Sequence, residues 1–404
     1  MMENLTLIKC QGYLKTLCLD IPERCVGSEG NRQATHFFER ELSSFGWATE
    51  MAEFDAIDWV ENGAILRSDG VDFDVLVSPY SLGFIGSAEL VSASTIEELS
   101  LINAKNKIIF LSGGIAREQL MPKNFVFYNP EEHQKIISML EKSGARAIIS
   151  ATGRNASLAG GVYPFPLIED GDFDIPSVYM TEEEGLKLSQ KTGKTVFLES
   201  VSKRIPGKGY NVIGKKGNKN SSRIVVTAHI DAKKGTPGAI DNATGVIVLL
   251  LLADLLRDYS GDKLIELVAF NGEDYYAVPG QMNYISANRD NFGSILLNIN
   301  IDGAGYKEGM SAFSLFALPE DLLKPARKVI GQYPGIAEGA LWPQGDHSIF
   351  LQFGVPAIAV SSKWFIDNIA EQDITHTPKD NMGIVDCRKI IEISLALNSL
   401  IRSV

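Results

Sequence analysis

The stretch "RIVVTAHIDAKKGTPGAIDNATGVIVLLLLADLL", residues 223–256, decides how the chain is read. A β-branched apolar run, Ile224 to Val226, gives way to a polar glycine-rich turn. A longer apolar segment from Val246 to Leu256 follows, suited to a helix expected over Asn242 to Asp258. A strand-length run feeding a buried helix is the unit from which parallel sheets are built. The unit recurs in "KLIELVAFNGED" (263–274) with a helix near Gly280 to Asn288, and in "SILLNINIDGAG" (294–305) with a helix around Glu320 to Gly331. "GDHSIFLQFG" then leads to "VPAIAVSS" (355–362), and a terminal helix is expected from about Cys387 to Arg402. This alternation implies an α/β fold, an α/β/α sandwich with a mostly parallel central mixed sheet.

Working outward, "NRQATHFFERELSSFG" (31–46) spaces Phe37, Phe38, Leu42 and Phe45 for an outer helix stopped by Gly46. The texture changes between residues 62 and 202, where short strands such as "FDVLVSP" and "NKIIFLSGG" surround one helix through "EEHQKIISMLEKSG". The chain is therefore divided into a main domain, 1–61 with 203–404, and an inserted smaller β-rich α/β domain, 62–202. The lysine- and glycine-rich "IPGKGYNVIGKKGNKNSS" (205–222) reads as the link back, with a turn or hairpin at Lys215 to Asn218.

At 404 residues and 45% hydrophobic content the chain can bury two cores. A net charge of -12 without a basic stripe argues against nucleic acid as a partner. "VIVLLLLADLL" is too short to span a bilayer and carries Asp254, and no basic leader with an apolar core opens the sequence. A soluble, cytoplasmic protein without a membrane partner is the expectation. Cys10, Cys18, Cys25 and Cys387 show no CxxC spacing, which suits a reducing compartment and buried thiols.

The apolar runs end in groups that are costly to bury: His229 and Asp231, then Glu273 and Asp274, then Asp302. Asp241 stands in the turn that opens the next helix, and His376 lies in "DITHTPKD" beyond the last strand. Ligands of open α/β sheets bind beyond the strand carboxyl ends, so these groups should meet. Two histidines and several carboxylates suit a divalent cation, and zinc takes such ligands readily. Five ligands, one of them able to bridge, are enough for two ions. A metal pair about 3.5 to 4 Å apart holds a hydroxide and polarises a carbonyl. A neighbouring carboxylate outside the ligand set would move the proton. Singly, a strand-end histidine or acidic pair is an ordinary structural feature; four segments ending this way are not.

The stretches "AHIDAKKGTPGAIDNATG", "FNGEDYYAVPG", "NIDGAG", "GDHSIFLQFGVPAI" and "THTPKD", with "RCVGSEGNRQATHFF" near the start, resemble the two-zinc (co-catalytic) aminopeptidase family of metallopeptidases. The resemblance implies a zinc exopeptidase type of sandwich and hydrolysis of N-terminal residues from peptides with a free N-terminus. It also implies two Zn2+, with Co2+ or Mn2+ as alternatives. His229 and Asp302 would bind one ion, Asp274 and His376 the other, and Asp241 would bridge them. Glu273 would be the general base, taking a proton from a metal-bridging hydroxide's parent water, and Asp231 would accept the imidazole N–H of His229. Asp346 and His347 would line the substrate region or support it. Trp364 and Phe365, in "SSKWFIDNIAEQ", are pocket walls or core residues.

Three positions depart from the family pattern. Asp274 is shorter than the more usual glutamate, Thr375 replaces a tyrosine that serves the oxyanion elsewhere, and Pro279 to Gln281 replaces a Gly-Ser pair. The insert resembles a protease-associated domain through "NKIIFLSGG", "EKSGARAIIS" and "DFDIPSVYMTEEEG". Its "EDGDFD" fails as a calcium loop, because Ile175 and Thr181 stand where glycine and glutamate are needed. The same core also serves carboxypeptidases, deacylases, glutaminyl cyclases and non-catalytic binding proteins. A carboxypeptidase would need a cation such as Arg289, Lys363 or Lys379 near the site.

Overall fold

In the computed structural model, which describes residues 2–21, 23–155, 159–219, 221–343 and 345–404, the run Arg223–His229 is a fully buried strand. Leu264–Phe270 and Ile295–Ile301 flank it in parallel, and Ala357–Ser362 extends the parallel set. Ser311–Phe316 adds an antiparallel strand beyond it, with Ile336–Glu338 at that edge. At the other edge, residues 212–217 of the strand Thr195–Gly217 pair antiparallel with Leu264–Phe270. The sheet is thus mixed and mostly parallel, the α/β class that the alternation of apolar runs implies.

Period-two alternation sorts the side chains of each strand onto two faces. Leu297, Ile299 and Ile301 join one apolar cluster with Ile265, Leu267 and Ala269, over which the helices Met2–Lys15, Glu29–Ser44, Thr244–Leu255 and Cys387–Ile401 close. Thr244–Leu255 is buried on nearly all sides, as a helix apolar around its whole circumference must be. Phe270 faces the other way, edge-on to Tyr284 of the helix Pro279–Asn288.

That second face also carries a buried ion pair. Arg223 Nη1 lies 3.3 Å from Glu266 Oε2, and Tyr284 donates its hydroxyl to Glu266 at 2.8 Å. Removing one member of such a pair strands the other's charge. Glu266→Ala is therefore expected to cost roughly 3–5 kcal/mol, read as a lower urea midpoint. A change under about 1 kcal/mol would show that the pair is no more than a surface bridge.

The chain folds as two compact units, residues 1–56, 208–369 and 374–404 as one and 57–207 with 370–373 as the other. Within the second unit the strands pair in the order Leu76–Val77, Ser177–Thr181, Ala147–Thr152, Ile108–Leu111, Phe84–Ala93 and residues 195–200. One face packs on Leu99, Ile136, Ile137 and Leu140 of two helices, the other on Leu188 of a third. Within "EDGDFD", Asp170 accepts the backbone N–H groups of Lys123 and Asp172, so the acidic turn caps its own loop.

Two local expectations change. Residues 205–217 continue a long strand instead of forming a link, and no hairpin follows Lys215 to Asn218. Leu264–Phe270 lies between residues 212–217 and Arg223–His229. The glycine content misleads here because Gly214 is a packing position: a Cβ there would meet Leu42 Cδ1 at 2.8 Å. The helix expected from Asn242 begins at Thr244, since Asp241 and Asn242 hold non-helical backbone angles.

Candidate metal centre

His229 closes its strand directly opposite Phe270, so the turns after both strands start at one level of the sheet edge. Asp302 follows Ile301 at the end of the neighbouring strand. The glycine-rich turn returns Asp241 between two histidines. Its Oδ1 is 3.1 Å from His229 Nε2, and its Oδ2 is 3.2 Å from His376 Nε2. Asp302 Oδ1 stands 3.6 Å from His229 Nε2, and Asp274 Oδ1 stands 3.1 Å from His376 Nε2. Each oxygen of Asp241 therefore faces one histidine and one further carboxylate, which gathers all five expected ligands.

The donor set fits cations. Donor atoms of His229, Asp241 and Asp274 lie within 4.8 Å of one another. Both ring nitrogens of His229 and Oδ2 of Asp274 are buried without a hydrogen-bond partner. Leaving such groups unpaired is costly, and a cation among them supplies what each lacks.

Charge is crowded here. Burial opposes protonation of His229, but Asp231, Asp241 and Asp302 outweigh it and raise its proton affinity well above the usual imidazole value. His376 is raised in the same way, with Asp274 and Asp241 outweighing its burial. Glu273 is pushed well above the ordinary carboxyl range, first by burial and then by Asp274, Asp302 and Asp346, against the pull of His229. Burial also lifts Asp346 to about 7, with Asp302 and Asp231 adding to the rise against the pull of His229 and Gln281.

Backbone clamps hold the ligands. Asp231 accepts the N–H of Gly272 at 2.8 Å and that of Asp274 at 2.9 Å, while its contact with His229 Nδ1 is 3.7 Å, too long for a hydrogen bond. The two backbone bonds fix the turn that presents Glu273 and Asp274, beside the approach to the His229 imidazole that the sequence anticipated. Asp380, fully buried, accepts the N–H groups of Ile240 at 2.7 Å and Asp241 at 3.0 Å. Arg24 donates to the carbonyls of Leu17, Ile230, Pro237 and Gly238. Asn242 bonds the Ile301 carbonyl at 2.8 Å, tying the Asp241 turn to the strand that ends at Asp302.

Asp380 and Arg24 received no role from the sequence although both lie inside quoted motifs. Their only signal was a charged residue type inside those motifs. Their partners are backbone groups far along the chain, and side-chain chemistry does not reveal those.

Gly238 makes the turn possible. It adopts φ 56° and ψ 49°, and a Cβ there would meet Asp241 O at 2.5 Å and Arg24 Nη2 at 2.8 Å. Gly238→Ala is expected to cost at least about 1 kcal/mol from left-handed strain alone, with displacement of Asp241 on top. The test is metal content beside the melting temperature. Full metal content at unchanged stability would show that the turn tolerates the added carbon.

The remaining site residues lie around this cluster. Asp346 accepts Gln281 Nε2 at 2.9 Å and keeps Oδ2 buried and unpartnered. His347 bonds the Trp342 carbonyl at 3.0 Å and packs against the Phe316 and Trp342 rings, and its Nδ1 is buried without a hydrogen-bond partner. Trp364 and Phe365 pack on Tyr306, and Phe365 shares a small apolar cluster with Ile240, the residue before Asp241. Phe365 is buried within that cluster, and Trp364 is partly buried against it. Lys363 is paired with Asp367 at 2.5 Å.

Residues 211–401 match the model of Peptidase family M28. Aminopeptidase YwaD of Bacillus subtilis (strain 168) is 27% identical over 207 residues, 50% of this chain and 40% of its own. The chain spans about half the length of the curated relatives it matches. Among solved structures, an aminopeptidase from Aneurinibacillus sp. strain AM-1 superposes with TM-score 0.76 at 19% identity, covering 98% of this chain and 93% of that one. BSAP, a zinc aminopeptidase from Bacillus subtilis, gives 0.74 at 20% identity, covering 98% and 94%. These likenesses establish the fold.

Proposed function

We propose, from the match of residues 211–401 to the model of Peptidase family M28, that the chain is a zinc-dependent aminopeptidase releasing N-terminal residues from peptides. The observation that carries the reading is Asp241, with one oxygen facing His229 and the other facing His376. His229 and Asp302 would hold one zinc ion, Asp274 and His376 a second, and Asp241 both. Co2+ and Mn2+ suit the same ligand types. When bound, the metal pair supplies Lewis acidity to the scissile carbonyl and makes water a nucleophile at neutral pH.

The chain's own groups do the rest. Glu273, whose proton affinity is raised, takes the proton of the attacking water and returns it to the leaving amine. The acidic surroundings of Glu273 and Asp346 receive the free N-terminal ammonium of the substrate. Asp231 and Asp380 keep the two ligand-bearing turns from drifting as charge develops. Residues 57–207 with 370–373 carry none of these residues, and we read them as a protease-associated-like unit.

The test is a panel of aminoacyl-anilides and dipeptides with zinc-loaded protein, run beside N-acetylated peptides. Hydrolysis confined to free N-termini supports the reading. Release of C-terminal residues, or equal turnover of acetylated peptides, would transfer the site to a carboxypeptidase or deacylase.

A further inference from the structure

Residues 195–207 of the strand Thr195–Gly217 lie in the second unit and alternate in what they touch. Val196 and Leu198 are buried in its apolar cluster, Ser202 donates its hydroxyl to the Ser81 carbonyl, and Arg204 donates to the Tyr80 carbonyl. The odd-numbered side chains take the opposite face. Phe197 and Glu199 are half-buried there, and Val201, Lys203 and Ile205 are exposed. The antiparallel strand Phe84–Ala93 sets Ile85 opposite Glu199 on that face. Ile85, Val201 and Ile205 are 68%, 44% and 37% exposed. Single exposed apolar residues are ordinary, but these three share one side of a sheet.

Along the strand the face reads Phe197, Glu199, Val201, Lys203, Ile205. Reversed about Val201, apolar falls on apolar and acid on base: Phe197 on Ile205, Glu199 on Lys203, and Val201 on itself. A surface that complements its own reverse is what an isologous two-fold contact requires. Strands running the same way would set glutamate on glutamate and lysine on lysine. A partner of one charge sign would be repelled by Lys203 or by Glu199, whereas a second copy satisfies both.

We propose that two copies of the chain associate through this face, sheet against sheet, about a two-fold axis that crosses the strands at Val201. Each Glu199 faces Lys203 of the second copy, so the charge pair occurs twice around an apolar centre. Ile85 widens that centre from the adjacent strand. Six side chains a copy fall well short of the about 20–30 residues a side of a stable standard interface. The dimer should therefore form at concentrations on the order of 10 μM and above.

The test is sedimentation equilibrium of the full chain from about 1 to 200 μM. A monomer–dimer equilibrium should appear. Glu199→Lys and Lys203→Glu should each weaken it at least about tenfold, because each reversal sets two like-charged pairs across the axis. The double reversal, Glu199→Lys with Lys203→Glu, should restore it, since every pair is opposite again. That variant keeps the wild-type composition and net charge, so a general loss of folding or solubility cannot imitate the pattern. Val201→Cys treated with a short bis-maleimide should link two chains, while the wild type, whose four cysteines are buried, should not. A chain that stays monomeric throughout, or a dimer indifferent to the single reversals, would overturn the proposal. So would a double reversal as weak as the single ones, or a Val201→Cys protein that does not cross-link.

Discussion

Glu273→Gln is expected to lower turnover by about 100- to 10,000-fold while both metal ions stay bound. Glutamine keeps the size and most of the shape of glutamate but cannot accept the proton of the attacking water. The five groups around Asp241 do not include Glu273, so their hold on metal should be unaffected. Asp231 fixes the turn through the N–H groups of Gly272 and Asp274, and the substitution touches neither. The decisive measurement pairs the rate on an aminoacyl-anilide with elemental analysis of the same sample. Metal loss accompanying the rate loss would make Glu273 a ligand. A rate within a few-fold of wild type would leave the reaction without a proton carrier at this position.

The separation of Glu273 from its neighbour Asp274 shows what sequence can and cannot say here. Both residues were visible as acidic groups closing a strand, and resemblance alone divided their roles. The structure adds a geometric reason, since Asp274 contacts His376 while Glu273 has no ion pair among the described residues. The fold was legible because buried parallel strands must be apolar throughout, and Arg223–His229, Leu264–Phe270 and Ile295–Ile301 are nearly so. Residues 205–217 were misread because glycine and lysine dominate a strand whose close approach to Leu42 requires the missing side chain. Asp231 was placed near His229 correctly, but its hydrogen bonds go to backbone, and no residue type announces a backbone partner. The same blindness hid Arg24 and Asp380.

Asp380 also makes the second large prediction clean. Asp241→Ala is expected to remove both metals and bring activity to background, because both histidine-carboxylate groups converge on that one carboxylate. The turn itself does not depend on the side chain being removed. Asp380 holds the backbone N–H groups at 240 and 241, Arg24 holds the carbonyls at 237 and 238, and Asn242 holds the next strand. Alanine preserves every one of these bonds, so a folded, metal-free protein should result, with circular dichroism like that of wild type. Asp231→Asn provides the contrast: it keeps one acceptor and presents an NH2 where a backbone N–H points. Metal affinity should then fall about 10- to 100-fold, as for other groups that orient ligands. Titration of the two variants with zinc separates the roles. If Asp241→Ala retained one tightly held ion, Asp241 would serve a single metal and the centre would be two adjacent sites; if Asp231→Asn lost both ions outright, the Gly272–Asp274 turn would be the element on which the whole site depends.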